Sequence, residues 1–103
     1  MFARVARYEV APERMDEAVE AFREALTEIS GLEGLKGGSV LTDAEDGVIV
    51  SMTFWESRKS MEDSEVQAAG LRRQAAKRVD GSVVSVQCLD VIAEIGAAAP
   101  ATA

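Results

Sequence analysis

Two of the strands that this sequence predicts are apolar on both faces, although the chain supplies helices for only one side of a sheet. Apolar side chains occupy both faces of Val48–Trp55 (VIVSMTFW) and of the strand within Ser82–Ile95. An open antiparallel sheet normally turns a polar face to water, so the face that the helices leave bare needs another cover. The same face of a second copy is the most economical one. The sequence therefore predicts a homodimer whose sheets pack together.

Hydrophobic periodicity predicts the element order βαββαβ. The predicted elements are strand Phe2–Val10, helix Pro12–Ser30, strand Leu35–Thr42, strand Val48–Trp55, a short helical turn followed by helix Glu65–Val79, and a strand within Ser82–Ile95. The Gly37–Gly38 pair predicts a bulge at the start of the second strand. Ser57 and Ser60 are candidate helix caps, and Ser64 with Gln67 matches a capping box.

This order is that of the ferredoxin-like α+β fold, in which two helices cover one face of a four-stranded antiparallel sheet. A chain of 103 residues has room for one domain, which we place at residues 1–95. Residues 96–103 carry neither charge nor periodicity, and we expect them to form a disordered tail.

Composition argues against several classes of function. Eighteen acidic and eleven basic residues give a net charge of −7, which argues against nucleic acid or an anionic membrane as the partner. No apolar run approaches the roughly 18 residues that span a bilayer. Histidine and asparagine are absent, which excludes Ser-His-Asp or Cys-His catalysis and a His-ligated metal or haem. We expect no cofactor. Because Cys88 is the single cysteine, it cannot form an internal disulfide, which predicts a cytoplasmic protein. Its apolar neighbours on the fourth strand predict a buried, unreactive thiol.

Four side chains are candidates for substrate binding: Arg7, Tyr8, Trp55 and Arg72. Trp55 would stack on a flat aromatic ligand, although a tryptophan also serves as a core anchor. The hydroxyl of Tyr8 would orient a substrate or make a structural hydrogen bond. Arg4 and Arg7 point to opposite faces of the first strand, so only one of them can face a given cavity. There it would bind an anionic or phenolate oxygen, the alternative being a surface salt bridge.

The second helix carries mostly small side chains on its apolar stripe, and these are Ala68, Leu71, Ala75, Ala76 and Val79. Arg72 falls inside this stripe at about 100° per residue. Two arrangements fit this pattern. Either the helix packs closely on the sheet and Arg72 reaches out to solvent, or a cavity remains with the arginine on its wall. The second arrangement would be a binding site.

Residues 2–95 resemble the antibiotic biosynthesis monooxygenase family. The resemblance rests on Phe2–Pro12, the amphipathic helix after it, the glycine-containing turn and the VSMTFWES segment of Val50–Ser57. It implies a dimeric α+β barrel with a ligand cleft between sheet and helices in each subunit. It also implies a small hydrophobic or aromatic ligand. Characterised relatives include cofactor-independent monooxygenases of polycyclic phenols and haem-degrading enzymes.

The sequence departs from the haem-degrading members of that family. Those members use an asparagine late in the first strand, a tryptophan in the second helical region and a histidine further along it. By position, the asparagine falls on Ala6 and the histidine on or near Leu71, while the helical tryptophan has no counterpart. Trp55 corresponds to a separate tryptophan at the end of the third strand. Haem degradation of that type is therefore not expected.

Three functions remain open at this point. The resemblance favours a cofactor-independent monooxygenase of small aromatic or quinol-type substrates, with Arg7 or Arg72 stabilising a phenolate and Trp55 stacking on its ring. The vacant family positions favour instead a non-catalytic dimeric module that binds a small hydrophobic metabolite. A lactone isomerase on the same fold would need Glu9 or Asp90 in the cleft to carry a proton.

Overall fold

A computed structural model describes residues 1–95, and the tail predicted at residues 96–103 lies outside them. The elements follow the predicted order. They are strands β1 (Phe2–Glu9), β2 (Leu35–Asp43), β3 (Val48–Trp55) and β4 (Ser82–Asp90), and helices α1 (Met15–Ile29), α2 (Arg58–Asp63) and α3 (Glu65–Arg78). One turn of 3-10 helix at Pro12–Arg14 leads into α1. The predicted short helical turn before the main second helix is α2.

The four strands form one antiparallel sheet in the order β2-β3-β1-β4. The α+β ferredoxin-like fold is therefore confirmed. The pairing of β2 with β3 shifts register between Leu35 and Gly37, at the start of β2 where the glycine pair predicted a bulge. A second shift, between Arg7 and Tyr8 opposite β4, was not predicted.

The face of the sheet beneath the helices carries the core. Strand alternation turns Arg4, Ala6 and Tyr8 of β1 to this side, and all three are buried. Phe22 of α1 and Ala75 of α3 belong to the same buried cluster. In the second half of α3 the small side chains Ala75 and Ala76 are buried, so the helix lies close to α1 and to the sheet there.

The opposite face of the sheet, called the open face below, has no helix over it and is mostly apolar, although it also carries Arg7 and Glu9 of β1 and polar side chains of β4. The side chains that alternation and register place there are Ala3, Val5, Leu41, Val48, Val50, Met52, Phe54 and Leu89. Leu41 and Leu89 are 49% and 44% exposed, and the β3 members are half-buried. An apolar surface that spans four adjacent strands is typical of an interaction site.

The two short segments before α2 and α3 differ in how they start a helix. Ser57 caps α2 in a reciprocal capping box with Ser60. The capping box predicted for Ser64 and Gln67 is wrong, because Ser64 already has a helical backbone conformation and makes no side-chain cap. Its hydroxyl instead donates to the Met61 carbonyl and accepts from the guanidinium of Arg4. Within residues 1–95, no helix is long and apolar enough to cross a membrane.

Candidate functional site

A cavity remains between the two long helices and the sheet, on the side of the core nearest β2. It is partly open to solvent, and with its mouth included it encloses about 470 Å³. Inside the cavity, the volume within which the centre of a water molecule can lie is about 50 Å³. This is room for several waters or for part of a small ligand. Its walls are formed by Arg4, Tyr8, Phe22, Ala25, Leu26, Ile29, Val40, Ser51, Thr53, Ala68, Leu71 and Arg72.

Most of the wall is apolar, and the polar side chains are few. Aliphatic residues and the Phe22 ring would contact the body of a ligand, while Tyr8 and two arginines offer donors. The only charged residues among those that line the cavity are Arg4 and Arg72. A small number of polar groups on an apolar wall is the usual composition of a small-molecule site. Two guanidinium groups make this one suited to an oxyanion.

Tyr8 is held in place on the floor of the cavity. It is 2% exposed, its ring centre lies 4.4 Å from that of Phe22, and its hydroxyl lies 3.1 Å from Ser51 Oγ. Burial raises the pKa of Tyr8, and the hydrogen bond with Ser51 and the charges of Arg72 and Arg4 offset only part of that rise. Tyr8 therefore stays protonated at neutral pH and can donate a hydrogen bond.

Arg72 points into the cavity and not out to solvent. Its side chain is 10% exposed, and its Nη2 lies 2.9 Å from Glu65 Oε2 two turns earlier in α3. The alanine-rich stripe leaves a cavity beside the sheet, which is the second of the two arrangements that the sequence allowed. Arg72 forms part of the wall of that cavity.

Arg4 was not selected from the sequence as a binding residue, yet it lines the same cavity. It is 4% exposed and its Nη2 donates to the Met61 carbonyl and to Ser64 Oγ. Its Nε lies 3.0 Å from Glu65 Oε1, within ion-pair range, but that N–H is not aligned as a hydrogen bond, and Nη1 has no partner. A buried unsatisfied donor is costly. Strand alternation had already placed Arg4 on the same face of β1 as Tyr8.

The structure does not bring the four predicted binding residues together. Arg7 lies on the open face, in a shallow groove beside Leu41 and Val50, because it alternates with Tyr8 along β1. Trp55 is fully buried and does not line the cavity. Its Nε1 donates to Thr53 Oγ1, and its ring centre lies 5.4 Å from the Arg4 guanidinium carbon. Stacking of Trp55 on a ligand in this cavity is therefore withdrawn, as is a role there for Arg7.

Three further expectations about single residues are corrected. Cys88 was expected to be buried but is exposed, since β4 lies at the sheet edge and the helices do not cover it. Glu9 and Asp90, which an isomerase would need in the cleft, are both exposed and do not line the cavity. Asp90 faces Arg58 at 3.6 Å.

Replacing Tyr8 with phenylalanine is expected to flatten the pH dependence of stability in alkali. The pKa of Tyr8 is raised in the folded chain above its ordinary value of 10.0, so the folded state holds the phenolic proton more tightly than the unfolded state does. This contribution is complete below about pH 10 and is lost as the pH rises through the folded pKa. Urea unfolding of both proteins from neutral pH upward measures it. Parallel curves above pH 10 would contradict a buried, protonated Tyr8.

Comparison with known proteins adds a family and a fold. The family model described as antibiotic biosynthesis monooxygenase matches residues 1–82. No curated protein matches the chain. Similar solved structures include SnoaB, a cofactor-independent oxygenase from Streptomyces nogalater, with a TM-score of 0.72 and 15% identity over 92% of this chain and 96% of that one.

Two further solved structures share the fold. Rv0793 from Mycobacterium tuberculosis has a TM-score of 0.71 and 18% identity over 92% of this chain and 98% of that one. A conserved protein from Methanosarcina mazei Go1 has a TM-score of 0.68 and 16% identity over 84% of this chain and 88% of that one. At such identities the likeness shows a common fold, and function has to be argued from the site.

Proposed function

The chain belongs to the antibiotic biosynthesis monooxygenase family, whose model covers residues 1–82, and from this premise we propose that it is a cofactor-independent monooxygenase of small aromatic or quinol-type substrates. The observation that carries the proposal is the cavity itself. Its apolar walls suit an aromatic ring, and the two arginines and the protonated tyrosine among its lining residues would supply donors to an oxygen of that ring.

In this proposal the substrate enters as an oxyanion and itself supplies the electrons. A quinol-type anion would transfer an electron to O2, and the two would then combine at a ring carbon. One oxygen atom stays on the carbon as a carbonyl, and the other leaves as water with the one hydrogen that the carbon of the anion carried and one proton taken up from solvent. The protein would desolvate the anion and hold it in a reactive orientation.

The side chains divide this work between them. Arg72, at the wall, would pair with the substrate oxyanion, since a guanidinium in a water-poor site stabilises a nearby negative charge. Arg4, which lines the same cavity, would supply a second positive charge close to that oxygen. Tyr8 would hydrogen-bond a neutral oxygen of the substrate, because its raised pKa keeps the proton on its hydroxyl.

We also propose that two copies pack through their open faces. Eight apolar side chains lie on that surface, and no element of residues 1–95 covers them. A twofold contact would bury this surface against itself and leave the ligand cavity on the far side of each sheet. With one cysteine there is no internal disulfide, which fits a cytoplasmic location.

A non-catalytic module that binds a small hydrophobic metabolite is the second candidate. It is favoured by the lack of a carboxylate among the residues that line the cavity, because the site then has no ordinary proton acceptor at neutral pH. Native mass spectrometry discriminates between the two functions. An unmodified ligand that stays bound without oxygen consumption would support the module.

Oxygen uptake with anthrone and with hydroquinone tests the enzymatic proposal. We expect Arg72→Gln, which keeps most of the side-chain length and removes the charge, to lower kcat/KM by about a hundredfold. The control is Arg73→Gln, because Arg73 is the next residue on α3 and is exposed. Equal rates in the two variants would contradict the role of Arg72, and no uptake by the unmodified protein would contradict the oxygenase.

A further inference from the structure

One carboxylate joins the two arginines of the cavity. Glu65, the first residue of α3, places Oε1 3.0 Å from Arg4 Nε and Oε2 2.9 Å from Arg72 Nη2. The arginines come from β1 and from the second turn of α3, so Glu65 connects the sheet to the helix. Its own side chain is 46% exposed and does not line the cavity. Glu65 therefore acts on a ligand only through the two guanidinium groups.

The charge of this group follows from its members. Arg4 and Arg72 supply two positive charges, Glu65 supplies one negative charge, and Tyr8 is neutral because burial raises its pKa. The remaining residues that line the cavity are uncharged. The site thus carries a single uncompensated positive charge, shared by two arginines that are 4% and 10% exposed, where an unpaired charge costs more than at the surface.

We propose that Glu65 is a positioning residue that limits the cavity to ligands with one negative charge. The proposal rests on the proposed function only in taking this cavity as the substrate site. A monoanion neutralises the net positive charge of the site, whereas a neutral ligand leaves that charge uncompensated. A dianion would compete with Glu65 for the same guanidinium groups. The substrate class that follows is a small aromatic monoanion, such as a singly ionised quinol or an aromatic carboxylate.

The position of Glu65 also reduces the repulsion between the two arginines. Two nearby guanidinium groups repel each other, and an anion in contact with both offsets that repulsion; Glu65 is in that position. Glu65 Oε1 lies 3.0 Å from Arg4 Nε, while Nη2 of Arg4 donates to the Met61 carbonyl and to Ser64 Oγ. Without Glu65, the second positive charge would be left for the ligand to neutralise.

The test measures binding and needs neither oxygen nor turnover. Benzoate, benzamide and phthalate serve as a monoanion, its neutral isostere and a dianion, and calorimetry gives their affinities for the full chain. We expect the unmodified protein to bind benzoate at least about tenfold more tightly than benzamide. In Glu65→Gln, the ratio of phthalate to benzoate affinity is expected to rise about tenfold. The phthalate-to-benzoate ratio is compared between the variant and the unmodified protein, so the difference in size between the two ligands does not affect the change.

Three variants sharpen the result. Glu62→Gln removes the same charge three residues earlier, from an exposed side chain that pairs with no basic residue among those described, and should leave the ratio unchanged. The double variant Glu65→Gln/Arg72→Gln restores one net positive charge and should return the ratio to its original value. Arg72→Gln alone should make the affinities for benzoate and benzamide nearly equal. This variant still tests the charge balance of the site if Glu65→Gln does not fold.

The outcomes separate this proposal from the oxygenase. Equal phthalate-to-benzoate ratios in Glu65→Gln and Glu62→Gln would overturn the role of Glu65, even if oxygen uptake depends on Arg72. Equal binding of benzoate and benzamide by the unmodified protein would overturn the monoanion class. A shifted ratio without any oxygen uptake would support Glu65 and contradict only the oxygenase.

Discussion

Replacing Trp55 with alanine is expected to lower the free energy of unfolding by about 3–5 kcal/mol. The indole is fully buried at the end of β3, and its ring lies within cation–π distance of the Arg4 guanidinium. Alanine would leave a cavity in the core and would remove the donor to Thr53 Oγ1. The loss should therefore exceed that of any single surface contact in the molecule.

Trp55→Phe is the matched control for this effect. Phenylalanine keeps an aromatic ring beside Arg4 and loses only the indole N–H and part of the volume, so we expect a loss of about 1–2 kcal/mol. Urea unfolding at one fixed protein concentration measures both variants, because dimer formation makes stability depend on concentration. A loss below about 1 kcal/mol for Trp55→Ala would contradict its role as a core anchor.

Placing aspartate at Val50 is expected to convert the proposed homodimer into monomers. Val50 lies on β3 within the open face, opposite Arg7 of β1 and Leu41 of β2. A twofold contact would bury two new carboxylates in a mostly apolar interface, and the neighbouring Arg7 would offset only part of the desolvation cost, which leaves a loss of about 3 kcal/mol, or roughly a hundredfold in Kd. Sedimentation equilibrium should give twice the chain mass of 11.0 kDa for the unmodified protein and the chain mass for Val50→Asp.

Val66→Asp provides the same change of side chain on the outer surface of the helical layer. Val66 is 86% exposed on α3, so the new charge stays in water and the dimer should persist. If the unmodified chain sediments as a monomer, or if Val66→Asp dissociates as readily as Val50→Asp, the open face is not the contact between copies.

Much of the fold could be predicted because its signals are local. The spacing of apolar side chains gave the element order, and strand alternation separated Arg4 and Tyr8 from Arg7. The same alternation revealed that β3 is apolar on both sides. The capping box at Ser64 failed because a tertiary contact with Arg4 and a helical backbone conformation replaced the local pattern.

The site itself depends on contacts that no local pattern shows. Arg4 and Glu65 are sixty-one positions apart, and only the antiparallel sheet with α3 across it brings them to 3.0 Å. Trp55 was placed on the correct strand end, but whether it faces a ligand or the core is set by packing above it. Cys88 is exposed because β4 lies at the edge of the sheet. The order of the strands determines that position, and the strand propensity of the local sequence does not reveal it.

The ligand site between the helices and the sheet is tested most directly by locating a bound ligand. We predict that a crystal structure of the protein with hydroquinone places the ring against Phe22 and Leu71, with one oxygen within hydrogen-bond distance of the Arg72 guanidinium. A ring bound on the open face beside Arg7, with the cavity under α3 left to water, would contradict both the proposed function and the role of Glu65.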